Sequence, residues 1–209
     1  MAHLHIVKQG ECFSSIAKKY GFLEKTLWEH ASNSALKNKR NNPNVLLPGD
    51  EVNIPDTELK EYSAPTEDTH HYVVTREKID FSLQVLENEK PVANEEYLLT
   101  VDGTSVKDVT DGEGWIHQPI DATAKTGKLV IANAKLEYEL RFGYLDPVEE
   151  KSGVMSRLRN LGRYFGENEK NNEYLLEAAL RGFQHQHGLN ETGTADAATQ
   201  AKLKEVHGC

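Results

Sequence analysis

Hydrophobic and polar positions along the chain change their period twice, and the changes divide it. Near the N-terminus a short extended run, Ile6-Val7-Lys8, closes at Gly10. Phe13, Ile16, Ala17 and Tyr20 then recur at i, i+3, i+4 and i+7, which is one face of an α-helix. Gly21 follows at once as a stop signal. A second helical stripe carries Leu23, Leu27, Trp28 and Ala31. A polar stretch, NSALKNKRNNPN, leads to a Pro48-Gly49-Asp50 turn and a closing strand, Glu51-Val52-Asn53-Ile54. The expected unit is βααβ, two strands covered by two helices. Lys37, Lys39 and Arg40 are expected to lengthen the second helix, with contact to a partner as the alternative.

Residues 56–71, DTELKEYSAPTEDTHH, have no apolar periodicity and read as a linker. Beyond them, from Tyr72 to Phe142, the period is two. Phe81, Leu83 and Val85 alternate with polar residues, as do Tyr97, Leu99 and Val101, and later Leu136, Tyr138, Leu140 and Phe142. Asp102-Gly103 is a hairpin signal, and Thr110–Trp115 a turn into another strand. Short strands with regular turns predict an antiparallel β-sandwich. From about Ser152 the period is 3.6. Three stripes are expected: Val154, Leu158, Leu161 and Phe165; Leu176, Ala179, Leu180 and Phe183, stopped by Gly188; and Thr199, Leu203 and Val206, with Asp196 as N-cap. The fold class is therefore α+β and multidomain: 1–55, a linker over 56–71, a sandwich over 72–146 and a helical domain over 147–209.

Charge and composition narrow the chemistry. The formal net charge is -9, which argues against a nucleic-acid partner, since phosphate contacts need a basic face. No apolar run reaches the roughly 18–20 residues of a membrane span. The N-terminal residues lack the plan of a secretory signal, so a cytoplasmic location is expected, with delivery to the periplasm or exterior by a secretion machine as the route outward. The two cysteines, Cys12 and Cys209, form no disulfide framework and are expected as free thiols.

All three patterned segments resemble known families. HIVKQGECFSSIAKKYGF followed by NPNVLLPGDEVNIP resembles a LysM domain through Ser14-Ser15 ahead of Ile16-Ala17, Tyr20-Gly21 and Leu47-Pro48-Gly49. It departs at Glu11-Cys12, where the family usually has Asp-Thr, and in the longer stretch between Ala31 and Asn44. LRNLGRYFG and LEAALRGFQHQHGLNETGTADAATQAKL resemble the three-helix peptidoglycan-binding domain, through Phe183-Gln184, Gly188-Leu189, Thr192-Gly193 and the Thr199 helix. There GENEKNNEY stands in place of the usual Asp-Gly loop. VDG and VTDGEGW in the middle segment resemble immunoglobulin-like repeats of bacterial surface proteins.

The LysM resemblance implies a shallow glycan groove with two loop walls. Gly10, Glu11, Cys12 and Phe13 form one wall; Asn44, Val45, Leu46 and Leu47 form the other. Backbone groups there would meet the acetamides of peptidoglycan or another N-acetylglucosamine-containing glycan. The competing reading makes Phe13 and Leu46 core residues and Cys12 a buried small hydrophobe. No catalytic constellation stands out. His185 and His187 lie two apart on a helix and face different ways, and Glu149-Glu150 and Glu95-Glu96 are neighbouring charges, unlike a glycosidase pair across a cleft. Most of the nine histidines sit in polar context and are expected in solvent, while Trp28 and Trp115 are expected as core anchors. The sequence thus predicts a non-enzymatic binding protein without metal or cofactor. The alternative is an adaptor docking on a spike or effector of a contractile, type VI-like secretion system, which chains of this architecture ending like Glu205–Cys209 resemble.

Overall fold

A computed structural model of the chain describes residues 3–57, 63–71, 78–87, 90–166 and 173–209. The start of the period-two segment at 72–77 and most of GENEKNNEY lie outside the described residues.

In the N-terminal region, β1 (His3–Ile6) pairs antiparallel with β2 (Glu51–Ile54), His3 opposite Ile54. Between them run α1 (Phe13–Tyr20), α2 (Glu24–Trp28) and α3 (Ser34–Arg40). The apolar face of α1 is its buried face: Phe13, Ile16 and Ala17 are inaccessible and share a core with Leu27, Trp28, Leu36, Leu46 and Val52. Phe13 meets Trp28 edge-to-face at 4.7 Å. Gly21 ends α1 with φ +77 and returns its N–H to Lys18. Burying each such large apolar side chain contributes about 1.5–3 kcal/mol. An exposed ion pair such as Lys37–Glu29 contributes about 0–1 kcal/mol, so the core holds this region together.

The stretch expected to lengthen the second helix instead forms a separate one. A single 3-10 turn at Ala31–Asn33 breaks the axis after α2, and α3 starts afresh at Ser34. Leu23 and Ala31 fall outside α2 and are exposed. Asn33 explains the break. Its buried amide donates to the Leu27 and Asn53 carbonyls at 3.0 and 2.9 Å and accepts the Asn53 N–H at 2.8 Å, tying the turn to β2. The basic cluster is used within the region: Lys37 pairs with Glu29, while Arg40 clasps Asp50 through two bonds of 2.6 and 2.8 Å.

The middle region holds two main antiparallel sheets. One has the order β10-β9-β6-β7, from β6 (Glu96–Val101), β7 (Thr104–Val109), β9 (Thr126–Ile131) and β10 (Leu136–Arg141). The other pairs β3 (Lys78–Gln84) with β8 (Trp115–Asp121). A small ladder joins β4 (Leu86–Glu87) to β5 (Lys90–Pro91). Tyr97, Leu99, Leu129 and Ile131 from one sheet and Ile116 from the other share a core. Asp102 and Gly103 both have positive φ, +43 and +85, the geometry of the tight turn joining β6 to β7. Trp115 is not a core anchor. It lies half-buried on the outer side of its strand and stacks on His117 at 5.8 Å, because its neighbour Ile116 takes the inward position.

The C-terminal region is helical: α4 (Lys151–Asn160), α5 (Glu173–Gln186) and α6 (Ala197–His207). Val154, Leu158, Leu176, Leu180, Phe183 and Leu203 pack together. Asp196 caps α6 by accepting the Thr199 N–H at 2.9 Å. Phe165 departs from its expected stripe. Because α4 stops at Asn160 and Gly162 turns with φ +67, Phe165 leaves the helix and is 84% exposed. Val206 is likewise exposed, leaving Thr199 and Leu203 as the buried face of α6. Among the described residues no helix is long and apolar enough to cross a membrane.

Candidate functional site

The two segments expected to wall a glycan groove are linked through Pro43, the residue ahead of the second. The Phe13 N–H donates to the Pro43 carbonyl at 2.9 Å. Most other N–H groups along the two walls are also engaged. Glu11 donates to Lys8 O, Cys12 to the Ser15 hydroxyl, Asn44 to Asn42 Oδ1, Val45 to Asn42 O and Leu47 to the Asp50 carboxylate. Cys12, Phe13 and Leu46 are buried, as the competing core reading has them, and Val45 is buried as well. Asn44 is exposed and Leu47 half-buried. Glu11 is a brace: it accepts the Lys8 N–H at 2.9 Å and pairs with His5 Nε2 at 2.8 Å. Burial works to raise its pKa, but these bonds prevail and lower it. His5 is buried, unlike the expected solvent-exposed histidines, and its other nitrogen meets the Tyr20 hydroxyl at 3.1 Å.

Gly10 is covered from a different part of the chain. Lys125 Nζ donates to the Gly10 carbonyl at 2.6 Å. The Tyr144 ring lies 3.3 Å from where a Gly10 Cβ would stand, and a Cβ on Gly143 would come within 2.7 Å of the Gly10 oxygen. Lys18 Nζ pairs with both Asp121 carboxylate oxygens at 2.5 and 2.6 Å. This ion pair, with the turn hydrogen bonds from Thr123, holds the Asp121 carboxyl well below the usual carboxylate range.

A second candidate lies in the helical region. A cleft of about 470 Å³ is lined by Tyr164, Phe165, Leu175, Ala178, Gly182 and Phe183, among others. The small residues Ala178 and Gly182 stand a turn apart on α5, and a Cβ at Gly182 would meet nothing within 4 Å. The buried Tyr164 hydroxyl has no hydrogen-bond partner among the described residues. Arg163 also lines the cleft, and a mostly apolar cleft with an aromatic rim and one cationic side chain suits the apolar face of a sugar or a peptide methyl beside a polar group.

The loop after α5 is fixed by one side chain. Gln184 is inaccessible; its amide nitrogen donates to Thr192 Oγ1, Thr194 O and Thr199 Oγ1 at 2.9–3.0 Å, and its oxygen accepts the Gly193 N–H at 2.9 Å. Gly193 has φ +71 and room for no Cβ, Glu177 Cγ standing 2.6 Å from where one would be. The run Phe183-Gln184 followed by Thr192-Gly193 is thus a structural clamp behind the cleft.

Residues 154–203 match the family model of a putative peptidoglycan binding domain. The match covers about a quarter of the chain and includes the cleft and the Gln184 clamp. No curated protein and no solved structure matches the chain. The helical C-terminal region of this α+β protein therefore carries a peptidoglycan-binding-type domain, and sequence reasoning found its family motif while missing its cleft. Gly182 and the exposed Phe165 were the available signals. Gly182 interrupts an otherwise strong helix sequence, and Phe165 is an aromatic just past a glycine turn.

Proposed function

We propose that the protein is a non-catalytic binder of peptidoglycan, and that the cleft beside α5 is where the helical domain takes its ligand. The observation that carries this reading is the coincidence of the matched segment with an open, mostly apolar cleft rimmed by the exposed Phe165. The N-terminal region serves as a second, LysM-like glycan module. Its support is the resemblance of its sequence and the link from the 10–13 segment to Pro43, the residue ahead of the 44–47 segment. Two weak sites on one chain raise avidity on a polymer through effective concentration.

Sedimentation with purified sacculi tests the reading. Gly182→Leu fills the cleft from a position where added atoms meet open space, and replacing a mid-helix glycine favours the helix by up to about 1 kcal/mol. The variant is expected to bind sacculi about tenfold more weakly while melting no lower than wild type. Undiminished sedimentation of the variant would remove the cleft from the account.

A further inference from the structure

The contact between the N-terminal and middle regions rests on this LysM-like reading and extends it. Two glycines meet there backbone to backbone. Gly143, with φ +76, approaches the Gly10 carbonyl so closely that a Cβ would stand 2.7 Å from that oxygen. Gly10, with φ +83, in turn has the Tyr144 ring 3.3 Å from where its Cβ would stand. Only glycine accepts this conformation and this approach without strain. Lys125 Nζ caps the same carbonyl, and Lys18 on α1 bridges to Asp121 at the end of β8. The middle region holds its side of the contact rigidly. The Phe142 N–H donates to Lys125 O, and the Phe142 ring sits edge-on to Phe81 at 5.3 Å.

We infer that the corner at residues 142–144, with Lys125 and Asp121, is a latch that keeps the 10–13 loop of the LysM-like module shut against the middle region, so that this loop takes N-acetylglucosamine chains only when the latch opens. The occupied backbone is the evidence. On the LysM-like reading the Gly10 edge of the loop is where a glycan acetamide would sit, and that carbonyl already accepts a charged donor. The latch is largely polar: one lysine-to-carbonyl bond, one partly exposed ion pair and a glycine contact. A junction of that kind opens at modest cost and weakens with salt. A ligand that binds only the open form has its apparent affinity reduced by the open fraction.

The test uses the full chain with Lys18→Met/Lys125→Met, which removes both cationic links, and with Gly143→Ala, which forces the backbones apart by a different route. Neither substitution touches the core of either region. Opening is read from the Gly10 amide signal and from small-angle scattering, and binding from titration with a pentamer of β-1,4-linked N-acetylglucosamine. Both variants are expected to shift the Gly10 signal, enlarge the particle and bind the pentamer about tenfold more tightly than wild type. Variants that leave the Gly10 signal and dimensions unchanged would refute the latch. Opening with unchanged pentamer affinity would refute gating while leaving the glycan reading in place. Opening with no pentamer binding by any form would remove the glycan reading of the loop, and gating with it. Sacculus binding through the α5 cleft is measured separately and is unaffected by these outcomes.

Discussion

At the scale of single residues, the positions that matter most are polar groups held inside apolar surroundings. Asp50 is one. Burial acts to raise its pKa, but the Arg40 guanidinium and the Leu47 N–H outweigh it and lower it. A carboxylate with a depressed folded pKa stabilises the fold above its unfolded value, near 3.8, and that contribution is lost as pH falls through the folded value. Both side chains of the pair are nearly inaccessible, 6% and 4% exposed. Asp50→Ala strands the Arg40 charge and is expected to cost about 3 kcal/mol, measured by urea unfolding at pH 7. A loss under 1 kcal/mol would show that Arg40 finds water instead. Gln184 is the second such position. Replacing it with Leu orphans the Gly193 N–H, while the Thr192 and Thr199 hydroxyls keep Asp196 as a partner, and should destabilise by about 1–3 kcal/mol, with Phe183 still in place. A melting temperature within a degree or two of wild type would contradict the clamp. Sequence reading marked Gln184 as part of a family motif, and the buried bonds show why glutamine stands there. Asn33 left no such mark, because a buried asparagine inside a polar stretch has the same sequence pattern as an exposed one.

At the scale of elements, periodicity located α1 and α5 and the alternating strands, since those segments turn one face toward a core, with Tyr138 in β10 the position left exposed. It failed at element ends. The second helix ended early where the Asn33 side chain captured β2, and the fourth ended before Phe165 where Gly162 turned the chain. Each of these depends on a contact distant in sequence or on a single backbone angle. The last helix carries its own pH sensitivity. His207 meets Asn160 Nδ2 at 3.0 Å and Cys209 Sγ at 3.0 Å. Burial, reinforced by the Arg157 charge, lowers its pKa from 6.5 to about 4. A half-buried histidine held neutral contributes stability above the unfolded pKa, and that contribution drains away as pH falls from about 6.5 toward 4. The melting temperature should fall across that window, and His207→Gln should flatten part of the fall. An unchanged slope in the variant would assign the pH dependence to the carboxylates.

At the scale of the whole molecule, the sequence laid out three patterned regions in order, and the α+β content with a helical C-terminal region follows from that layout. What it did not reveal is how the regions touch. Every strand from β2 to β10 lies between Gly10 and Gly143 in the sequence, and neither the Lys125 bond nor the Lys18–Asp121 pair leaves a periodic trace. The α5 cleft was hidden for a related reason: it is a space bounded by small residues, and a pattern of apolar positions records what fills a core, not what leaves it open. The central claim is that this cleft takes peptidoglycan. The most direct measurement is a titration of the full chain with soluble muropeptides from enzymatically digested sacculi, followed residue by residue in amide NMR spectra. The account predicts saturable shifts at Gly162, Tyr164, Ala178 and Gly182 that vanish in Gly182→Leu; muropeptide binding with no perturbation at these residues, or no binding at all, would contradict it.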